Sequence, residues 1–293
     1  MIKSIKTIMR QDREPYRIPR RVQDVIPIQC VWPDGIFKVG IKFSKTYRFT
    51  DINYKVASRE DKETMFLAYS ELLNGLDSAA TTKLTICNRR QSQADFEQSV
   101  LMSMRGDGLD KYRQEYNQML IDKATGANGI IQEKLVTVTV YKRDIEDARA
   151  YFTRIGADLT ARFAALGSKC VELDAADRLR ILHDFYRAGD EGSFHFDMAD
   201  MARKGHDFRD YICPDGIEKH SDYLKLGDRY CRVLFLKDYA NYIQDEIVAD
   251  LTDLNRNMML SIDILSVPTD EAVREVENRL LGVETNITNW QRR

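Results

Sequence analysis

The most informative part of this sequence, residues 221–267, begins with the turn Gly227-Asp228 and the run Tyr230-Cys231-Arg232-Val233-Leu234-Phe235-Leu236. A β-branched and aromatic run bounded by polar residues is typical of a largely buried strand. Apolar residues then recur at helical spacing over 242–254, which predicts a helix. Over 258–265 the period returns to that of a strand. This strand-helix-strand order favours two parallel strands whose apolar faces the helix covers.

A looser copy of this pattern lies near the amino terminus. Pro33-Asp34-Gly35-Ile36 opens a predicted hairpin, and Pro214-Asp215-Gly216-Ile217 precedes the turn at 227–228. A predicted helix and an alternating strand follow in each case. Two interpretations stay open at this point. The chain contains two related α/β halves, or Pro-Asp-Gly occurs twice because it is a common turn tripeptide.

Helix-capping residues and alternating strands support an α+β or mixed α/β fold. Residues that can cap helices stand at Ser58, Asp144, Asp174 and Thr269-Asp270. The cleanest strand signal is the alternation of valine with polar residues over 136–141. We predict two related strand-helix-strand halves with antiparallel hairpins and with helices packed on the sheets. The predicted segments are a basic arm (1–22), a first half (23–130), a second half (131–266) and a final helix (267–293).

Composition excludes several classes of protein. Lys and Arg number 44 and Asp and Glu number 46, which gives a net charge of −2. The chain as a whole is therefore not a polycation that attracts nucleic acid, although a local basic patch is compatible with this net charge. No apolar run approaches the roughly 20 residues that cross a bilayer, and the start has no continuous apolar core of an export signal. The five cysteines, odd in number and mostly within apolar runs, suit reduced thiols in the cytosol.

The basic arm is the one segment with a candidate binding pattern. Its cations recur mostly every three or four residues and accompany a few isoleucines, which favours a short basic amphipathic helix at its start. Such an arm can lie on an anionic membrane or contact an acidic partner; the alternative is a solvated terminus. The candidate contact residues are Lys3, Lys6, Arg10, Arg13, Arg17, Arg20 and Arg21.

Motifs for catalysis, nucleotide binding and metal binding are not found. Gly126-Ala127-Asn128-Gly129 lacks the Lys-Ser/Thr pair of a phosphate-binding loop, and no Gly-x-Gly-x-x-Gly occurs. The four histidines have no zinc-ligand spacing. His183 follows Leu182 in a predicted helix and is interpreted as a packing or surface residue, whereas Phe194-His195-Phe196 has phenylalanines where a two-histidine metal motif needs ligands. We therefore expect no catalytic, nucleotide-binding or metal-binding residue and no cofactor in this chain.

Four segments carry a resemblance to a known family. They are residues 18–28 (IPRRVQDVIPI), 34–40 (DGIFKVG), 44–54 (SKTYRFTDINY) and 227–239 (GDRYCRVLFLKDY). As a set they resemble the amino-terminal region of the conjugal-transfer ATPases of type IV secretion systems, in particular the type found on Gram-positive mobile elements. The resemblance covers the whole chain, and residues 276–293 resemble the helix that leads toward the motor in that family.

This resemblance implies a function without chemistry in this chain. In the family, an amino-terminal α/β domain associates with inner-membrane components of the secretion channel and with neighbouring subunits, and a carboxy-terminal P-loop motor hydrolyses ATP with magnesium. Because this sequence lacks the motor, the family's catalytic residues have no positions here. The resemblance thus implies a cytoplasmic docking and oligomerisation domain, peripheral to the inner face of the cell membrane, whose partners are the channel, its own motor domain and further copies.

Two alternatives belong to other functional classes. One is a sequence-independent DNA-binding module, whose binding would weaken with salt because phosphate contacts release counterions. The other is a relaxase-like enzyme, which needs a histidine metal cluster near a nucleophilic tyrosine; the Phe-His-Phe at 194–196 argues against it. Given the charge balance, we do not expect nucleic acid as a partner.

Overall fold

The computed structural model describes residues 19–54, 56–90, 101–126, 130–237 and 247–291. Within these ranges the α-helices are α1 (Arg59–Asn74), α2 (Asp110–Gly126), α3 (Ile145–Ala165), α4 (Ala175–Tyr186), α5 (Met198–Lys204), α6 (Ile247–Thr252) and α7 (Thr269–Gln291). The strands are β1 (Cys30–Val31), β2 (Phe37–Val39), β3 (Lys42–Phe49), β4 (Ala80–Arg90), β5 (Ile130–Tyr141), β6 (Cys170–Glu172), β7 (Ile217–Lys219), β8 (Leu224–Leu226), β9 (Arg229–Cys231) and β10 (Met258–Leu265). Short 3-10 helices cover Val22–Val25, Glu191–Ser193 and Phe208–Tyr211.

The strands in the described ranges form two antiparallel sheets. The larger has the order β1-β2-β3-β5-β4-β10, with β6 also paired to β3, and the smaller has the order β7-β8-β9. The α+β fold class predicted from the sequence is therefore confirmed. The predicted parallel pair is wrong: β10 pairs antiparallel with β4, and β9 belongs to the other sheet. Alternation identifies a strand but does not select its partner, which long-range packing decides.

One sheet contains strands from both predicted halves. β5 and β10 come from residues 131–266 apart from the first residue of β5, and they pair with β3 and β4 from residues 23–130. The strand pairing thus crosses the proposed boundary near residue 130. The duplication itself stays a prediction.

Helices α1 and α3 cover the first face of the large sheet. Val136, Val138 and Val140 point into this core, as their alternation predicted, and pack with Phe152 of α3 and with the other members of one apolar cluster. Tyr47 is fully buried there and its hydroxyl donates to the Phe152 carbonyl at 3.3 Å. Burial raises the pKa of the Tyr47 phenol, so the side chain stays neutral at physiological pH.

Helix α4 covers the second face. Leu179 of α4 packs with Phe37 of β2 in a second apolar cluster, and Leu135 and Cys87 belong to a third. Arg178 of α4 is held beside Phe37. Its guanidinium lies 3.8 Å from the centre of the Phe37 ring and donates to the carbonyls of Gly35 and Ser44, each at 2.7 Å. Burial lowers the pKa of Arg178, yet an arginine remains charged at physiological pH.

Three of the predicted helix caps are confirmed as hydrogen bonds. Ser58, Asp144 and Asp174 each accept a bond from the backbone N–H three residues later. Each such cap contributes about 1 kcal/mol to the stability of its helix. The final helix was also predicted, and it begins at Thr269, so the Thr269-Asp270 pair that was expected to cap it lies within its first turn.

All five cysteines are free, and Cys87 differs from Cys30 in exposure. Burial, followed by the charge of Glu133, raises the pKa of the Cys87 thiol to about 12. Since the thiolate is the reactive form, we expect iodoacetamide at pH 8 to modify exposed Cys30 roughly 100-fold or more faster than Cys87 in the native protein. Peptide mass spectrometry over time measures both rates. Unfolding in guanidinium should make them similar, and equal rates before unfolding would contradict the burial of Cys87 under α4.

Candidate docking surface

Most of the predicted basic arm lies outside the described residues. This holds for Lys3, Lys6, Arg10, Arg13 and Arg17. Arg20 and Arg21 are described and exposed, and their backbone N–H groups donate to one carboxylate oxygen of Asp24 at 3.1 and 3.0 Å. These bonds hold the backbone that leads into the 3-10 helix at Val22–Val25, and the arm's contact role stays a prediction.

Metal-binding and charged side chains are a second kind of candidate site in the described residues. Within them no group of three or more His, Cys, Asp or Glu side chains could hold a metal ion. A shallow depression of about 630 Å³ lies beside α5 and is lined by residues that include His195, Asp200 and Arg203. Asp200 forms ion pairs there with Arg203 and Lys204, which lowers the pKa of the carboxyl. The charge of Asp200 is therefore matched within its own helix, and Asp197 caps the start of that helix.

No helix in the described ranges combines the length and the apolar character that crossing a bilayer requires.

His183 stands between a serine and a carboxylate. Its Nε2 lies 3.4 Å from the Ser193 hydroxyl and its Nδ1 3.2 Å from Asp184. The order resembles a nucleophile relay, but the Ser193 hydroxyl donates to the Asp190 carbonyl at 2.9 Å. Because a hydroxyl has one hydrogen, Ser193 does not donate to His183 while it donates to Asp190, so His183 does not activate it in this geometry. With 2 % of its surface exposed, His183 is the packing residue that the sequence predicted.

A charge network joins α4 to the second face of the sheet. Asp184 of α4 lies 3.6 Å from Arg89 and 3.9 Å from Arg180, and Glu133 lies 3.2 Å from Arg48 and 3.8 Å from Arg89. The longer of these distances leave room for bridging water. Sequence analysis missed this network. Its signal was the presence of Arg89 and Glu133 at strand positions whose side chains share a face with Cys87 and Leu135.

The first candidate docking element is residues 233–236. Val233, Leu234, Phe235 and Leu236 are 73, 83, 81 and 63 % exposed. The sequence predicted a buried strand over 230–236, which is wrong, because β9 ends at Cys231. Its partner β8 begins at Leu224, the residue paired with Cys231, and the chain turns just before it. Beyond Cys231 no partner strand is therefore available within this small sheet.

The second candidate docking element is the outer edge of β10. In the described part of the chain β10 pairs with β4 and with no other strand, so its other edge is open. It is eight residues long and carries one charged residue, Asp263. Long apolar edges of this kind are normally covered or blocked by charge, because their free N–H and C=O groups accept further strands.

The end of α6, which precedes β10 in the chain, is held against the sheet by an amide. Asn88 of β4 donates from Nδ2 to the carbonyl of Thr252 at 2.5 Å, and Gln132 of β5 donates to the Asn88 side chain at 3.2 Å. Thr252 ends α6 and is buried. The open edge is thus part of a fixed sheet.

No family model and no curated protein matches this sequence. The function is therefore inferred from the chain's own residues, and residues 233–236 and the edge of β10 are two described surfaces suited to contact with another protein.

Proposed function

We propose that this chain is a non-catalytic docking and oligomerisation domain of the conjugal-transfer ATPase kind, which couples a motor to the inner-membrane channel of a type IV secretion system. The sequence segments at 18–28, 34–40, 44–54 and 227–239 support the family. The observation that carries the docking role is the exposure of residues 233–236, four consecutive large apolar side chains. Exposed apolar surface of this kind marks a contact site for another protein.

The two docking elements suit one mode of binding. A strand of the partner would pair with the outer edge of β10 through backbone hydrogen bonds, as in strand addition to other sheets. Residues 233–236 would supply apolar contact, since full burial of each such side chain contributes at most about 1.5–3 kcal/mol. The loss of translational and rotational freedom on association opposes part of this gain in free energy.

Membrane association would come from the basic arm. Each lysine or arginine near an anionic surface contributes about 1 kcal/mol, so Lys3, Lys6, Arg10, Arg13, Arg17, Arg20 and Arg21 would keep the domain at the cytoplasmic face. The proposed role is scaffolding, with ATP and magnesium used by a motor outside this sequence.

Binding to inverted inner-membrane vesicles tests the docking role. The chain should co-sediment with vesicles from cells that contain the channel proteins. Vesicles from cells without these proteins should retain at most about one tenth of that amount. The double variant Leu234→Glu/Phe235→Glu should lose the channel-dependent part. Phe66→Glu/Leu67→Glu, which places the same two charges at another pair of exposed apolar residues, should retain it.

Circular dichroism and urea unfolding establish that each variant is folded. Equal binding to both kinds of vesicle would mean that the chain binds the lipid alone, and it would contradict docking to the channel. Binding to neither, or ATP turnover by the chain alone, would also contradict the proposal.

A further inference from the structure

Helix α7 is long and almost free of contacts with the rest of the described chain. It covers Thr269–Gln291, and none of its described side chains is buried. A single helix in water is only marginally stable, because most helical stability in proteins comes from packing of an apolar face. A helix of this length with apolar side chains in solvent therefore requires a partner.

Leu281, 60 % exposed, lies outside the heptad repeat that the other large apolar residues of α7 follow. Their separations alternate between three and four residues, through Val273, Val276, Leu280, Val283, Ile287 and Trp290. In heptad notation residues 273, 280 and 287 occupy position a, and residues 276, 283 and 290 occupy position d. The five that are described are 50–86 % exposed. This seam is narrower than the stripe that a helix normally buries against its own domain.

We infer that α7 is a self-association element, which forms a parallel coiled coil with α7 of a second copy of this chain. An a/d seam is complementary to an identical seam, because each side chain inserts between four residues of the facing helix. The inference rests on the oligomerisation part of the proposed function and names its element; channel docking does not enter it.

Charge selects the parallel orientation. The sequence places Arg279 at a g position and Glu284 five residues later at an e position. In a parallel coiled coil a g residue faces the e residue five positions later on the other helix, so Arg279 and Glu284 would attract in both symmetric pairs. An antiparallel pair would instead place e residues near e residues, and Glu277 and Glu284 would repel. Such charges set orientation more than affinity.

Arg279 can take part in this pairing from its present position. It forms an ion pair with Glu275 on its own helix at 2.7 Å, and its side chain is 69 % exposed. Exposed ion pairs between residues four apart on a helix are weak and rearrange readily. Exchange of one carboxylate partner for another therefore requires only a change of side-chain rotamer.

The mass of the full chain in solution tests self-association. Sedimentation equilibrium should give a dimer, with twice the monomer mass of 34.0 kDa. Leu280→Glu, at an a position, should weaken association roughly 100-fold or more, because it places charge within the seam. Asn278→Glu introduces the same charge at an outward f position and should leave the mass unchanged.

Three further variants separate the coiled coil from loss of folding. Arg279→Glu should weaken association, and the double variant Arg279→Glu/Glu284→Arg should restore it. Gly282→Ala, at an outward position where nothing lies within 4 Å of the added carbon, should tighten association by favouring the helix.

Three outcomes would overturn the inference. They are a monomer at all concentrations, an oligomer that Leu280→Glu does not weaken, and a charge-swapped variant that associates no better than Arg279→Glu. The second outcome would assign self-association to residues 233–236 or to β10, and it would leave the vesicle experiment on channel docking unaffected.

Discussion

Replacement of Gly35 by alanine should lower the free energy of unfolding by about 3–5 kcal/mol, which is at the upper end of single substitutions. Gly35 has a φ of +76°, and an added Cβ would lie 2.0 Å from the Leu173 carbonyl oxygen. The turn cannot move away freely, because the Pro33 carbonyl accepts from Ala175 N–H at 3.3 Å and the Gly35 carbonyl accepts from Arg178. Backbone would therefore have to shift on the second face of the sheet.

Gly227→Ala is the matched control for this substitution. Gly227 also has a positive φ, +56°, but nothing lies within 4 Å of an added Cβ. Its replacement should cost about 1–2 kcal/mol, the value for a left-handed alanine alone. Urea denaturation measures both changes. Equal losses would contradict the close contact of the turn with the Leu173 carbonyl.

Replacement of Asp184 by asparagine should also lower the free energy of unfolding by about 3 kcal/mol. This is the lower end of the range for breaking a buried ion pair, because Arg89 then keeps Glu133 as a carboxylate partner. The Asp184 side chain is 5 % exposed and is the carboxylate of α4 that faces Arg89 and Arg180. Asparagine preserves the volume and removes the charge, so a cavity does not account for the loss.

Asp215→Asn is the control for charge removal at the surface. Asp215 pairs with Arg187 at 3.1 Å, and its side chain is 84 % exposed. Exposed ion pairs contribute about 0–1 kcal/mol, so this variant should unfold almost as the parent does. A loss at Asp184 no larger than that at Asp215 would show that water compensates Arg89 and Arg180 in the variant.

Part of the candidate site was predictable from sequence. The strand at β10 and the helix at α7 were both expected, since each has an apolar period that local geometry imposes. The open edge of β10 was not, because its expected partner was the run 230–236, which instead continues past the small sheet as an exposed segment. The charge network was also missed, since Asp184 and Arg89 are 95 residues apart in sequence.

Local chemistry was enough to place Ser58, Asp144 and Asp174 at helix starts and Val136, Val138 and Val140 on one face of a strand. Each of these features depends on atoms within a few residues. A helix cap depends on the N–H group three positions later, and the face of a strand residue depends on the alternation of the backbone. Strand partners, buried ion pairs and the contact of Gly35 with Leu173 join segments distant in sequence. They depend on how whole faces of the sheet are filled, so folding of the complete chain selects them.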